Sequence, residues 1–170
     1  WSPPATAGTR KNHEKSWIST DTDLGALLQW TRVGMPEEAM HWKSWLDLNQ
    51  KASWFPEHIT SRWTDDDMCF FVKDIPAPRV LNAGSGPVVP ESFRCDTKVI
   101  PVISVDALAH VFWDLYDGLG LVPPSFPSQC LLEQLSRCFP KNYFHVVHVR
   151  NALDHVVNAR LALHELLEVT

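Results

Sequence analysis

Residues 78–93 read PRVLNAGSGPVVPESF. Gly84 and Gly86 follow directly on an apolar run. Glycines this close together mark a sharp backbone turn or a place where something approaches the main chain closely. Val80-Leu81 reads as a short strand leading into the loop. Lys98–Val105 (KVIPVISV) reads as a second strand, with Pro101 marking an edge position or a bulge. Asp106, which ends that strand, stands 20 residues beyond Gly86. A helix follows from Asp106 to about Gly118, stopped by Gly118 or Gly120. VPPSFPSQC then leads to a short third strand, LLEQLSRC forms a short helix, and Tyr143–Val149 (YFHVVHV) forms a fourth strand. Asp154, an N-cap type, opens a last helix to about Val169, with apolar residues at 156, 157, 161, 163, 166 and 167. Strands alternating with helices imply right-handed crossovers and a parallel sheet.

Upstream the pattern is helical. Residues 1–20 are polar and read as a loose lead. Leu24, Leu27 and Leu28 follow helical spacing. A second helix is expected from Pro36 to Asn49, with Glu37 and Glu38 at the positive end of its dipole and Trp42, Trp45 and Leu46 as its apolar stripe. A third starts at Thr64, carries Asp65, Asp66 and Asp67, and buries Met68, Phe70 and Phe71. Seven of the eight tryptophans fall in the first 63 residues. They are read as a helical cap on a larger core, in preference to an aromatic wall over a ligand. The organisation expected is thus a lead over 1–20, a helical region over 21–76 and an α/β domain over 77–170.

The chain has 170 residues and a formal net charge of −5. No basic face is visible, which excludes long polyanions as expected partners. No apolar run reaches the roughly 20 residues of a membrane span. Cys69, Cys95, Cys130 and Cys138 lack metal-type spacing and read as reduced, buried thiols of a cytoplasmic protein. His145 and His148 do not converge, so no metal site is expected. The first residues carry no apolar run, so no signal peptide is expected.

Three chemistries compete for the glycine loop. A nucleophile elbow centred on Ser85 needs glycines at 83 and 87, where Ala83 and Pro87 stand. A dinucleotide fingerprint is met at Gly84 and Gly86 but has Val89 in its third glycine place. A different adenosyl cofactor at the same sheet edge, with Asp106 on its ribose, remains open alongside.

VLNAGSGP resembles the first motif of class I S-adenosylmethionine-dependent methyltransferases, and SVDALA their second. LLEQL resembles the stretch near the adenine, and FHVVHVRNALDH the fourth strand and its exit; EEAMHWKSWL and WFPEHI resemble lead-in helices of the broad type 11 kind. The resemblance spans residues 37–170 and is strong over 79–170. It implies a Rossmann-like parallel sheet with flanking helices, incomplete at the C-terminus, behind a helical N-terminal cap. It also implies S-adenosyl-L-methionine as cofactor and a small-molecule methyl acceptor. Asn82, Ala83, Gly84, Ser85 and Gly86 would lie along the methionine part, Asp106 on the ribose hydroxyls, Ala107 and Leu108 along the adenine, and Leu132 and Glu133 at its amino group. Asn151, Asp154 and His155 would face the acceptor as catalytic candidates, with Asn151 also near the cofactor. Asn82 replaces an acid common in the family. Residues 87–97 are too few and too proline-marked for the usual crossover helix, so a loop or short helical turn is expected there. The four legible strands are fewer than the family's, leaving the fourth with an open flank. The alternatives are an NAD(P)-dependent oxidoreductase and a truncated cofactor-binding relative without turnover.

Overall fold

The computed structural model describes residues 20–55, 66–123 and 125–170; the polar lead, the start of the third helix at Thr64-Asp65 and most of WFPEHI lie outside them. Helix α1 (Thr20–Gln29) passes through a π-helical turn (Trp30–Gly34) into α2 (Met35–Asn49). Pro36 sits in the first turn of α2, directly after the π-helical turn. Helix α3 (Asp66–Val72) precedes the sheet. Strands β1 (Val80–Ala83), β2 (Ser92–Cys95) and β3 (Lys98–Asp106) lead to α4 (Ala109–Gly118). The two-residue β4 (Ser128–Gln129), a 3-10 turn (Leu132–Gln134), α5 (Leu135–Cys138), β5 (Val146–Val149) and α6 (Ala159–Val169) complete it.

The result is a mixed α/β open sheet of five strands with flanking helices, ordered β2-β3-β1-β5 with β4 also on β3. Strands β4, β3, β1 and β5 run parallel, whereas β2 runs antiparallel to β3. Residues on β1 alternate between two apolar layers, as the pleat requires. Leu81 and Ala83 pack with Val105, Leu132, Leu135, Phe144, Ala162 and Leu166. Val80 packs with Met68, Val72, Phe93 and Val102. A third cluster, Leu46, Phe55 and Tyr116, joins α2 to α4. Burial pushes the Tyr116 hydroxyl up to about 12, and it donates to the Pro87 carbonyl at 3.2 Å.

Several expectations are corrected. Residues 92–95 form a strand, so the connection after the glycine loop is a hairpin with β3 and not a loop or helical turn. Its ladder places Ser92 opposite Pro101. The prolines at 87 and 90 fall before the strand, where no ladder N–H is lost. Phe70 and Phe71 are 67% and 62% exposed; in a helix this short the buried pair is Met68 and Val72, one turn apart. The helix after β3 begins at Ala109, because Asp106 belongs to the strand. The last helix begins at Ala159, capped by Asn158, whose side chain accepts the Leu161 N–H at 3.1 Å; Asp154 caps nothing there. Leu163 and Leu167 are exposed, and α6 buries Ala162, Leu166 and Val169 instead. The cysteines are not thiols: Cys69 bonds Cys95 and Cys130 bonds Cys138. The first bridge ties α3 to β2. No described helix is long and apolar enough to cross a membrane.

Candidate functional site

The glycine loop answers both halves of the question its sequence poses. Gly84 and Gly86 have φ of +66° and +67°, the left-handed region that favours glycine. The N–H groups of Gly84 and Ser85 both donate to the Val105 carbonyl, at 2.9 and 3.1 Å. This folds the loop over the carboxyl end of β3. What approaches is the chain's own matter. A Cβ on Gly84 would lie 2.3 Å from the Ala152 Cβ, and one on Gly86 would lie 3.2 Å from the Trp42 ring. The NALDH segment therefore seats on one glycine and α2 on the other.

Between them opens a cavity of about 370 Å³ at the carboxyl edge of the sheet, within the range of small-molecule sites. Its floor is Gly84, Gly86, Asp106, Ala107 and Leu108. One wall is Leu131, Leu132 and Glu133. A second is Asn151, Ala152, His155, Val156 and Val157. The third is Trp30, Glu38, His41 and Trp42 from the helical layer.

Asp106 is buried at the floor. One carboxylate oxygen accepts the Gly86 N–H at 2.9 Å and the other the Leu108 N–H at 2.8 Å. Burial holds its carboxyl above the usual range; the Leu108 and Gly86 N–H groups oppose this, and the Glu38 charge adds to the upward push. Asp106 is thus a structural clamp between the glycine loop and the start of α4 as well as a cavity wall.

His155 joins the second and third walls. Its Nδ1 lies 2.6 Å from Glu38 Oε1 and its Nε2 lies 3.3 Å from Asp154 Oδ2. The Trp30 indole N–H donates to the His155 carbonyl at 2.9 Å. The π turn starting at Trp30 shifts the helical phase between α1 and α2 at this point; such turns recur at functional sites. Asn151 has a φ of +51° at the exit of β5, a conformation that Asn tolerates better than most residues. Glu133 accepts the Asn158 N–H at 3.0 Å, so it also holds the start of α6.

The structure brings together Gly84, Gly86, Asp106, Ala107, Leu108, Leu132, Glu133, Asn151 and His155 of the residues expected at the site. It leaves out four. Asn82 faces the other side of β1, in register with Ser104 and His148, and its Oδ1 lies 3.0 Å from His148 Nδ1. Ala83 is buried in the core. The Ser85 hydroxyl turns to the Gly86 carbonyl at 3.2 Å. Asp154 has a side chain 74% exposed and touches the site only through His155. Sequence reasoning missed Trp30, Glu38, His41 and Trp42 of the helical layer, and Leu131, Ala152, Val156 and Val157 of the other walls. Glu38 was assigned to the helix dipole and Trp42 to a cap; both lie on the cavity side of α2, four positions apart on one helical face.

Comparison of the chain with models of known families, with curated proteins and with solved structures found no match.

Proposed function

We propose that the chain binds S-adenosyl-L-methionine in this cavity and transfers its methyl group to a small-molecule acceptor. The observation that carries the reading is the juxtaposition of Asp106 with the Gly84–Gly86 loop. They sit at the carboxyl ends of the adjacent parallel strands β3 and β1, and both line the cavity. Open parallel sheets bind ligands at this edge, where the strand order reverses. The parallel order β4-β3-β1-β5 suits a Rossmann-like sheet, with the reversal at β1.

The fit can be tested against the donors present. Asp106 keeps lone pairs beyond its two backbone bonds and could accept ribose hydroxyls. Ala107, Leu108 and Leu132 offer apolar surface to an adenine, and Glu133 an acceptor for its amino group. Gly84 and Gly86 present backbone to the amino-acid part, although Ala152 and Trp42 narrow that approach. When bound, the cofactor supplies an already activated methyl on a sulfonium, so the protein's task is alignment.

The same cavity disfavours the dinucleotide alternative. A pyrophosphate normally rests on a helix N-terminus directly after the glycine loop. Here the chain runs from Gly86 through prolines into β2. Glu38, Asp106 and Glu133 line the cavity, and among the described residues no Lys or Arg does. This charge balance suits a cation and repels a diphosphate. The two disulfides support an oxidising compartment rather than the cytoplasm.

The test is calorimetric titration of S-adenosylhomocysteine and of NAD into the folded protein. S-adenosylhomocysteine should bind and raise thermal stability, by about 2.7 kcal/mol at a hundredfold excess over its dissociation constant. Binding of NAD without binding of S-adenosylhomocysteine overturns the reading.

A further inference from the structure

The wall contributed by the helical layer has a chemistry of its own. Trp30 and Trp42 supply indole rings, and Glu38 supplies a carboxylate between them in sequence, all lining the cavity. Trp42 is held in place by edge contacts with Phe112 and Trp45, at centroid distances of 6.1 and 5.9 Å. Trp30 is held by its bond to the His155 carbonyl. Glu38 is held by the 2.6 Å contact with His155 Nδ1. These are fixed groups, and none of them is consumed by the cofactor contacts assigned above. Indole rings beside a carboxylate are the chemistry that recognises an organic cation, through the ring quadrupole and by direct charge. No lining Lys or Arg among the described residues competes for the carboxylate.

We propose that this wall binds an organic ammonium group, and that the methyl acceptor is an amine held by Trp30, Trp42 and Glu38. The assignment rests on the methyl-transfer reading and narrows it to nitrogen. An amine arriving protonated must shed a proton before it can attack. The Glu38 carboxylate, which lines the same cavity, takes that proton. The amine lone pair then forms the new carbon–nitrogen bond as the carbon–sulfur bond breaks, and the electron pair of that bond remains on sulfur as a neutral thioether. His155 positions that carboxylate: its Nδ1 and Nε2 both lie against carboxylates, Glu38 and Asp154, so neither ring nitrogen is free to act as the base.

The probe is choline, whose quaternary nitrogen binds without being methylated. It is compared with the uncharged alcohol bearing a tert-butyl group in place of the trimethylammonium. Both are titrated by calorimetry into the full chain, with and without saturating S-adenosylhomocysteine. Choline should bind roughly tenfold more tightly than its neutral isostere, the scale of a desolvated cation–aromatic contact. Glu38→Gln should narrow that gap, because the carboxylate charge is lost while the indole rings remain. Because the preference is read on the parent protein, the test survives a variant that fails to fold. If S-adenosylhomocysteine binds and the two probes bind equally, the amine assignment falls and the methyl-transfer reading stands. If S-adenosylhomocysteine does not bind at all, the methyl-transfer reading falls and takes the acceptor role with it.

Discussion

Gly84→Ala should be far more costly than any other glycine-to-alanine change in the described structure. Two effects act together. A left-handed backbone costs an L-residue about 1–2 kcal/mol. The new Cβ would also stand 2.3 Å from the Ala152 Cβ, well inside the ~3.5–4.0 Å optimum for carbon pairs. Relieving such overpacking costs a further ~1–3 kcal/mol. Gly120 provides the control: its φ is +65°, yet a Cβ there meets nothing within 4 Å. The difference between the two variants therefore isolates the Ala152 contact from backbone strain and from unfolded-state entropy. Urea denaturation should place Gly84→Ala about 1–3 kcal/mol below Gly120→Ala. In a chain of this size, each kcal/mol corresponds to roughly 2–4 °C in melting temperature. Adding Ala152→Gly to Gly84→Ala should restore most of that difference, a coupling that only neighbours show. If the two single variants are equally stable, or the double variant recovers nothing, NALDH does not sit on the glycine loop and the cavity loses its second wall.

Asp106→Ala should destabilise the protein by roughly 2–4 kcal/mol even without ligand, because the buried N–H groups of Gly86 and Leu108 lose their acceptors; equal stability in chemical denaturation refutes the clamp. Because the Asp106 carboxyl is raised above its ordinary value, the folded state holds that proton more tightly than the unfolded one. The resulting stabilisation is present below the unfolded pKa and is lost as pH rises through the folded one. The parent should therefore lose stability relative to Asp106→Asn across that interval, and parallel pH profiles would contradict this. Removing Cys69–Cys95, which closes a separation of 26 residues, should cost about 3.5 kcal/mol on chain entropy. Removing Cys130–Cys138, which closes 8, should cost about 2.5 kcal/mol. Paired Cys→Ser variants compared by urea denaturation check the order, which reverses if the short bridge matters more.

Strands β1, β3 and β5 were legible because each is a short apolar run ended by a polar or glycine position, with Val80–Ala83 and Val102–Val105 in register; the two-residue β4, Ser128–Gln129, has no such run and lies within VPPSFPSQC, the stretch expected only to lead to a strand. The place of Asp106 at the carboxyl end of β3 was legible because it directly follows the apolar run, whereas its clamp on Gly86 and Leu108 was not. Strand β2 was not, since prolines at 87 and 90 made the stretch read as loop when they only precede it. The disulfides left no trace, because pairing depends on tertiary proximity and the spacings of 26 and 8 carry no motif. Phe70 and Phe71 misled because α3 is too short for its apolar phase to be read; two of four large apolar residues had to face out. The aromatic wall was hidden for a subtler reason. Helical spacing explains Trp42 as core with or without a cavity beside it, and only the docking of α2 onto Phe112 distinguishes the two.

The contact between the Trp30 indole and the His155 carbonyl spans 125 positions of sequence. The cavity is therefore a joint possession of two distant stretches of chain and exists only while the helical layer is docked. Any fraction of molecules with that layer lifted away is blind to ligand, and the measured dissociation constant is the intrinsic one divided by the docked fraction. Mutations along the α2–α4 seam, at Leu46 or Tyr116, would then weaken affinity without touching a single group that meets the ligand. A ligand, in turn, would slow hydrogen exchange at the seam as well as at the site.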